Sequence, residues 1–260
     1  MKYLIPFSYM LKTRYKTLAY KLAFALVYFI PLYIVTIFFQ ADLLLLNLVI
    51  IGTNCIYEIG YIDNDLITST YEEKPTERLT TAESKEIWRK YLLLIAARQC
   101  IFFLIAGLLI WKNSISGLFF IFGGMSILIA YAFHNTVRSK WNVLTFFALV
   151  ISKYFSVILV VLRGTEAFWA CTAIFFAICL PRTIEFAAKL NIIKYDLFNK
   201  NELFRCVYYT AFLMISGLFT CYLQRINVVA LIAIYYWVFR VLSFIMQYQK
   251  EKWKQKNKQV

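Results

Sequence analysis

The sequence predicts an all-α protein, a multi-pass transmembrane helical bundle of about eight helices. Three observations lead there. Of the 260 residues, 62% are hydrophobic and only 16% charged, against roughly 45–50% and about 25% in an ordinary soluble domain. The mean hydropathy is +0.65. Apolar runs of membrane-spanning length recur along the whole chain, and the segments joining them alternate between very short and longer, charged ones. Low charge together with 19% aromatic residues excludes a disordered chain. The length and the scattered cysteines exclude a small disulfide-stapled domain.

Residues 1–20 mix aromatic and aliphatic side chains with Lys and Arg and are too short to span, which predicts an interfacial N-terminal segment. No small-residue cleavage site follows, so a signal peptide is not expected. A helix needs about 20 apolar residues to cross a hydrocarbon layer of roughly 30 Å, and eight segments qualify. They are Leu22 to Phe39, Leu43 to Ile62, Tyr91 to Trp111, Ile115 to Phe133, Trp141 to Leu162, Ala167 to Leu180, Leu203 to Leu223 and Val228 to Gln247. The sixth is short and is expected to run past Pro181. Loops of a few residues at 40–42, 112–114, 163–166 and 224–227 join antiparallel neighbours. The chain therefore reads as a single integral-membrane domain over 1–260. Residues 250–260 form a basic tail around Trp253, suited to anionic lipid or to fixing topology rather than to nucleic acid.

The formal net charge of +14 is awkward for a chain built for hydrocarbon, and its placement orients the bundle. With the N-terminus inside, twenty-two Lys and Arg fall in the termini and in the loops on that side, and only Lys112, Arg163 and Arg225 on the other. The excess predicts a multi-pass inner (plasma) membrane protein with both termini cytosolic. Arg98, Lys153 and Arg240 fall inside spans. The six cysteines form no CxxC and read as ordinary packed thiols.

Polar residues converge on the cytosolic side. If the second helix continues to Asp65, then Asn54, Glu58, Tyr61 and Asp65 share one face. Glu58 lies within the lipid boundary, where an unpaired carboxylate costs several kcal/mol, so it is expected to face the interior or a wet cavity. A second group, Arg182, Glu185 and Lys189, shares a face of a helix opened by Pro181. A third, His134, Arg138 and Lys140, lies between spans four and five. His134 is the only histidine, which excludes a histidine metal cluster. Carboxylates facing cations at one mouth of a bundle suit a magnesium-bridged diphosphate: Mg²⁺ takes few protein carboxylates and fills its shell with water and phosphate oxygens, while Lys and Arg neutralise the remainder. No P-loop, dinucleotide fingerprint, serine elbow or zinc spacing is present.

These residues resemble the UbiA-type intramembrane transferase superfamily, which carries one acidic motif after helix two and another after helix six. Its first motif has the form NDxxDxxxD, followed later by a basic residue and proline. Anchoring on Lys74-Pro75 sets Tyr57-Glu58 on the Asn-Asp pair, Tyr61 on the middle Asp and Asp65 on the last. Arg182-Thr-Ile-Glu185 looks like the KRxxE second motif of the polyprenyl-phosphate phosphoribosyltransferase branch, and Tyr131 with Arg138 and Lys140 is similar to that branch's tyrosine and basic cluster. Tyr57 and Tyr61 depart from the motif, and the family usually has nine helices.

The resemblance implies an integral-membrane transferase that moves a group from a Mg²⁺-bound diphosphate donor, phosphoribosyl pyrophosphate, to a polyprenyl phosphate. It implies Glu58 and Asp65 as metal ligands and, with Glu185, as the catalytic acids. Asn54, Tyr61, Lys74, Arg138, Lys140, Arg182, Lys189 and Arg98 are the expected substrate-binding residues. Two alternatives stay open. One is a prenyltransferase joining an isoprenoid diphosphate to an aromatic or other small acceptor. The other, of a different class, is a non-enzymatic transporter or lipid flippase, for which no inverted repeat is visible.

Overall fold

The structure is a computed structural model, and it describes residues 3–71, 76, 78–137, 139–193, 201–224 and 227–256. Among these residues the regular elements are all helical. Eight stretches are long and apolar enough to cross a membrane: Leu18–Phe38, Leu43–Tyr71, Tyr91–Lys112, Ser114–Thr136, Asn142–Val161, Gly164–Lys189, Glu202–Leu223 and Val228–Lys250. The chain is an all-α, multi-pass helical bundle, with the sixth stretch running past Pro181 as its sequence suggests. Many large apolar side chains point outward, among them Leu104, Phe122, Met214 and Leu218. A surface of this kind suits hydrocarbon and not water. Two compact units divide the chain, 1–167 and 168–260.

In the first unit a short helix α1 (Ser8–Thr13) precedes α2 (Leu18–Phe24), a π-helical turn (Ala25–Phe29) and α3 (Ile30–Phe38). The last three form one span. Pro31 explains the wide turn: proline has no N–H and its ring displaces the carbonyl four residues back, so the ladder there lengthens to Ile30 N–H onto Ala25 O. Next come α4 (Leu43–Leu66), α5 (Thr81–Arg89), α6 (Tyr91–Lys112), α7 (Ser114–Thr136) and α8 (Asn142–Val161). Asp42 caps α4 by accepting from Leu44 and Leu45 N–H. Helix α4 is the hub: it packs against α6, α7 and α8 and is the most buried of the spans. Gly60 lets it approach α7, since a Cβ there would lie 2.2 Å from the Tyr131 ring.

The N-terminal segment does more than rest at an interface. Tyr3 and Tyr9 join Ile62, Leu66, Ile87 and Leu94 in a buried apolar cluster, and Met10 is fully buried. Within Tyr3–Thr13 the side chains of Tyr3, Tyr9, Met10 and Thr13 are therefore part of the protein's interior.

The second unit takes in most of α9 (Gly164–Ile174), a π-helical turn (Phe175–Cys179) and α10 (Leu180–Lys189), then α11 (Asn201–Leu223) and α12 (Val228–Lys256). Here Pro181 plays the part of Pro31, and the backbone it disturbs is served from outside. The Tyr209 hydroxyl donates to Ala177 O at 2.6 Å and Tyr208 to Phe176 O at 2.5 Å. Helices α11 and α12 pack along each other, with Tyr209 stacked on Tyr236.

Candidate functional site

Asn54, Glu58, Tyr61 and Asp65 all lie on α4, from its middle to its C-terminal end. Asn54 is fully buried and donates to the Tyr28 hydroxyl at 3.0 Å and to Ile50 O at 2.8 Å. Glu58 is fully buried too. Its carboxylate accepts from Met10 N–H at 2.8 Å, Phe7 N–H at 3.2 Å and the Arg98 guanidinium at 3.0 Å. Arg98, fully buried on α6, also donates to Leu94 O and Tyr3 O. Asp65 is 3% exposed and receives Arg14 through two bonds of 2.6 and 2.8 Å, Arg78 at 3.2 Å and the Tyr9 hydroxyl at 2.8 Å. Burial and the adjacent Asp65 charge push the Tyr9 hydroxyl well up, so it stays a donor.

The two tyrosines that stand where the resemblance expects Asn and Asp present their rings to cations. Lys153, 6% exposed on α8, has its ammonium 3.9 Å from the Tyr57 ring and 4.3 Å from the Tyr28 ring. The Arg14 guanidinium lies 4.4 Å from the Tyr61 ring. An aromatic face holds a desolvated cation by its quadrupole, with about 2 kcal/mol available where water is excluded. Tyr57, Tyr61 and Tyr131 pack edge to face beneath. The structure thus sets Lys153 and Arg98 against rings, a carboxylate and carbonyls of the protein itself.

The remaining expected residues are dispersed or undescribed. Lys74 and Arg138 lie outside the described residues. Lys140 is exposed, and His134, near it, has Nδ1 3.2 Å from Thr145 Oγ1. In the second unit Glu185 is held by Arg205, at 2.6 and 3.0 Å, and Arg205 also binds Glu202. Arg182 and Lys189 are exposed on α10. Arg240 lies against the Phe239 and Tyr209 rings. Sequence reasoning had placed Arg14, Arg78 and Arg205 among the topology-setting cations and gave Tyr9 no role. Only their contact with Asp65 or Glu185 reveals them, and no local motif carries that signal.

The donor set bears on magnesium. Glu58 and Asp65 are seven residues apart, about 10 Å along the helix, and their oxygens already accept N–H or O–H bonds. Among the described residues no group of three or more His, Cys, Asp or Glu comes together. As arranged, these carboxylates do not fit an ion that needs near-octahedral oxygen ligands at about 2.0–2.1 Å.

Fold and site together define a multi-pass helical membrane protein with a buried network of arginines, tyrosines and carboxylates at one end of α4. In comparisons with known proteins no family model matches the chain, and no curated protein or solved structure does either.

Proposed function

We propose that the protein is an integral-membrane transferase of the UbiA type, passing a group from a diphosphate donor to a lipid acceptor on the cytosolic side of the plasma membrane. Phosphoribosyl pyrophosphate and a polyprenyl phosphate are the proposed pair. One observation supports this reading above the rest: Arg14 and Arg78, from separate segments, meet on Asp65 where the polar face of α4 leaves the membrane. A diphosphate is a better partner for two guanidiniums than one carboxylate is. Donor binding would move them from Asp65 to the phosphates, and there they would neutralise the leaving pyrophosphate as an acceptor phosphate oxygen bonds to the donor's anomeric carbon. No step is assigned to a metal held by Glu58 and Asp65. The test is an assay of purified protein with labelled phosphoribosyl pyrophosphate and polyprenyl phosphate, with and without magnesium. A labelled lipid product that falls at least about tenfold in Arg14→Gln, roughly the 1.5 kcal/mol of a hydrogen bond to a charged group, is expected. Absence of product under both conditions overturns the reading.

A second reading, a non-enzymatic membrane protein, is favoured by Glu58. A fully buried carboxylate shared by one arginine and two backbone N–H groups of the N-terminal segment serves as an internal tether. Under this reading no donor gives product, and Asp65→Asn alters only stability.

A further inference from the structure

We propose that a cavity beside the Asp65 cluster, sharing Arg78 with it, binds a phosphate monoester or diphosphate, carried by a lipid of the adjoining leaflet or free in solution. The cavity has a volume of ≈ 330 Å³ and is walled by Lys12, Lys16, Lys21 and Arg78, with Tyr3, Thr13 and Glu83 completing the polar lining. That volume stands at the small end of the range for ligand sites, about 300–1,000 Å³, and suits a headgroup rather than a larger molecule. Four cations face one carboxylate there.

Glu83 closes a capping box at the start of α5, with Oε2 accepting from Thr80 N–H and Oγ1 at 3.0 Å each and Oε1 accepting from the Tyr3 hydroxyl at 3.4 Å. Lys16 is drawn to the wall by donating to Arg78 O at 3.2 Å. Arg78 itself reaches Asp65 and is still 30% exposed. Arg78 keeps its Asp65 pair and Lys12 lies over the Tyr3 ring; a dianionic phosphate or a diphosphate entering the cavity would add charge-assisted bonds to the cations gathered there. Lys21 sits near the start of the first span, among the outward-facing Leu18, Tyr20 and Leu22. The cavity therefore lies at the depth where lipid headgroups meet a spanning helix, within reach of a lipid phosphate as well as a soluble one. Arg78 is shared with the proposed donor site, but the inference concerns occupancy and not turnover, so loss of lysine protection and loss of lipid product are separate outcomes.

The test uses the full chain in phosphatidylcholine nanodiscs, with inorganic pyrophosphate added, or with phosphatidic acid built into the disc. Lysine acetylation followed by mass spectrometry reads the wild-type protein directly. Protection of Lys12, Lys16 and Lys21 by about fivefold or more is expected, with Lys112 unchanged in either arm and Lys250 and Lys252 unchanged by pyrophosphate. Protection by pyrophosphate in plain discs assigns a soluble ligand, and protection only with phosphatidic acid assigns a lipid. In binding titrations the triple variant Lys12→Gln, Lys16→Gln, Lys21→Gln should weaken affinity by about a hundredfold, because a lysine near a phosphate surface contributes about fivefold. For pyrophosphate, the tail variant Lys250→Gln, Lys252→Gln, Lys254→Gln should stay within about twofold of wild type. Protection absent with both ligands, or equal at Lys112, or with pyrophosphate equal at the tail lysines, overturns the proposal, as does a folded triple variant that binds like wild type. The footprint decides alone if that variant does not fold.

Discussion

Arg98 and Glu58 carry opposite charges with no exposure to solvent on either side chain, and the balance of such a pair is narrow. Taking both ions out of water costs several kcal/mol each, and their attraction repays this only when further hydrogen bonds satisfy the remaining donors and acceptors. Here Leu94 O, Tyr3 O and the N–H groups of Phe7 and Met10 do so. Removing one partner strands the other, so Glu58→Gln should lower stability by about 3–5 kcal/mol. Adding Arg98→Met should restore more than half of that loss, since the glutamine amide oxygen can still accept from Met10 while the stranded guanidinium is gone. Unfolding of detergent-solubilised variants measures both, and a Glu58→Gln protein as stable as wild type would show that the pair is hydrated. That Glu58 turns inward was legible in the sequence, because an unpaired carboxylate within the lipid boundary is costly; that Arg98 is its partner was not, since Arg98, Lys153 and Arg240 all fall inside spans. The roles of Arg14, Arg78 and Tyr9 were not legible either. They reach Asp65 from 51, 13 and 56 residues away, and no local pattern encodes a contact of that range.

At the level of elements, both prolines inside spans sit just after a π-helical turn, and the one at Pro181 comes with a repair. The carbonyl it displaces is Ala177 O, four residues earlier, and Tyr209 of α11 donates to that atom. Hydrocarbon offers no water to take the place of this bond. Tyr209→Phe should therefore cost about 1–3 kcal/mol, the penalty for an unmet buried acceptor. In a Pro181→Ala background the cost should shrink, because Ala at 181 regains an N–H that can close the helical bond to Ala177 O. A double-mutant cycle reads this as a coupling of at least about 0.5 kcal/mol; additive losses would mean that the tyrosine and the proline act separately. The spans themselves were legible, since twenty apolar residues between polar loops admit few other structures in lipid. The docking of Tyr3–Thr13 was not legible for a related reason. It is too short to be read by hydropathy, and beyond the buried Tyr3, Tyr9 and Met10 its anchors are long-range: the Phe7 and Met10 N–H groups on Glu58, the Tyr9 hydroxyl on Asp65 and Arg98 on Tyr3 O.

For the whole molecule, the +14 charge is an argument about orientation first. Positive-inside bias acts while the chain inserts, before side chains have found their partners, and acids weigh little in it. The later pairing of Arg14, Arg78 and Arg205 with carboxylates therefore does not remove them from the count, and twenty-two cations against three should hold the N-terminal segment and the basic tail in the cytosol. If each of the eight stretches crosses, the turns at Asn113 and Glu166 face outward and Ser139 faces inward. Single cysteines introduced at these three positions and probed with a membrane-impermeant maleimide test this, with wild type giving the background from the six native thiols. Asn113→Cys and Glu166→Cys should label on intact cells, and Ser139→Cys only after permeabilisation. The reverse pattern would invert the protein and move the Lys12, Lys16 and Lys21 cavity to the opposite leaflet. Labelling of only one of Asn113→Cys and Glu166→Cys on intact cells would mean that α7 or α8 fails to cross, and the eight-span bundle would then have to be redrawn.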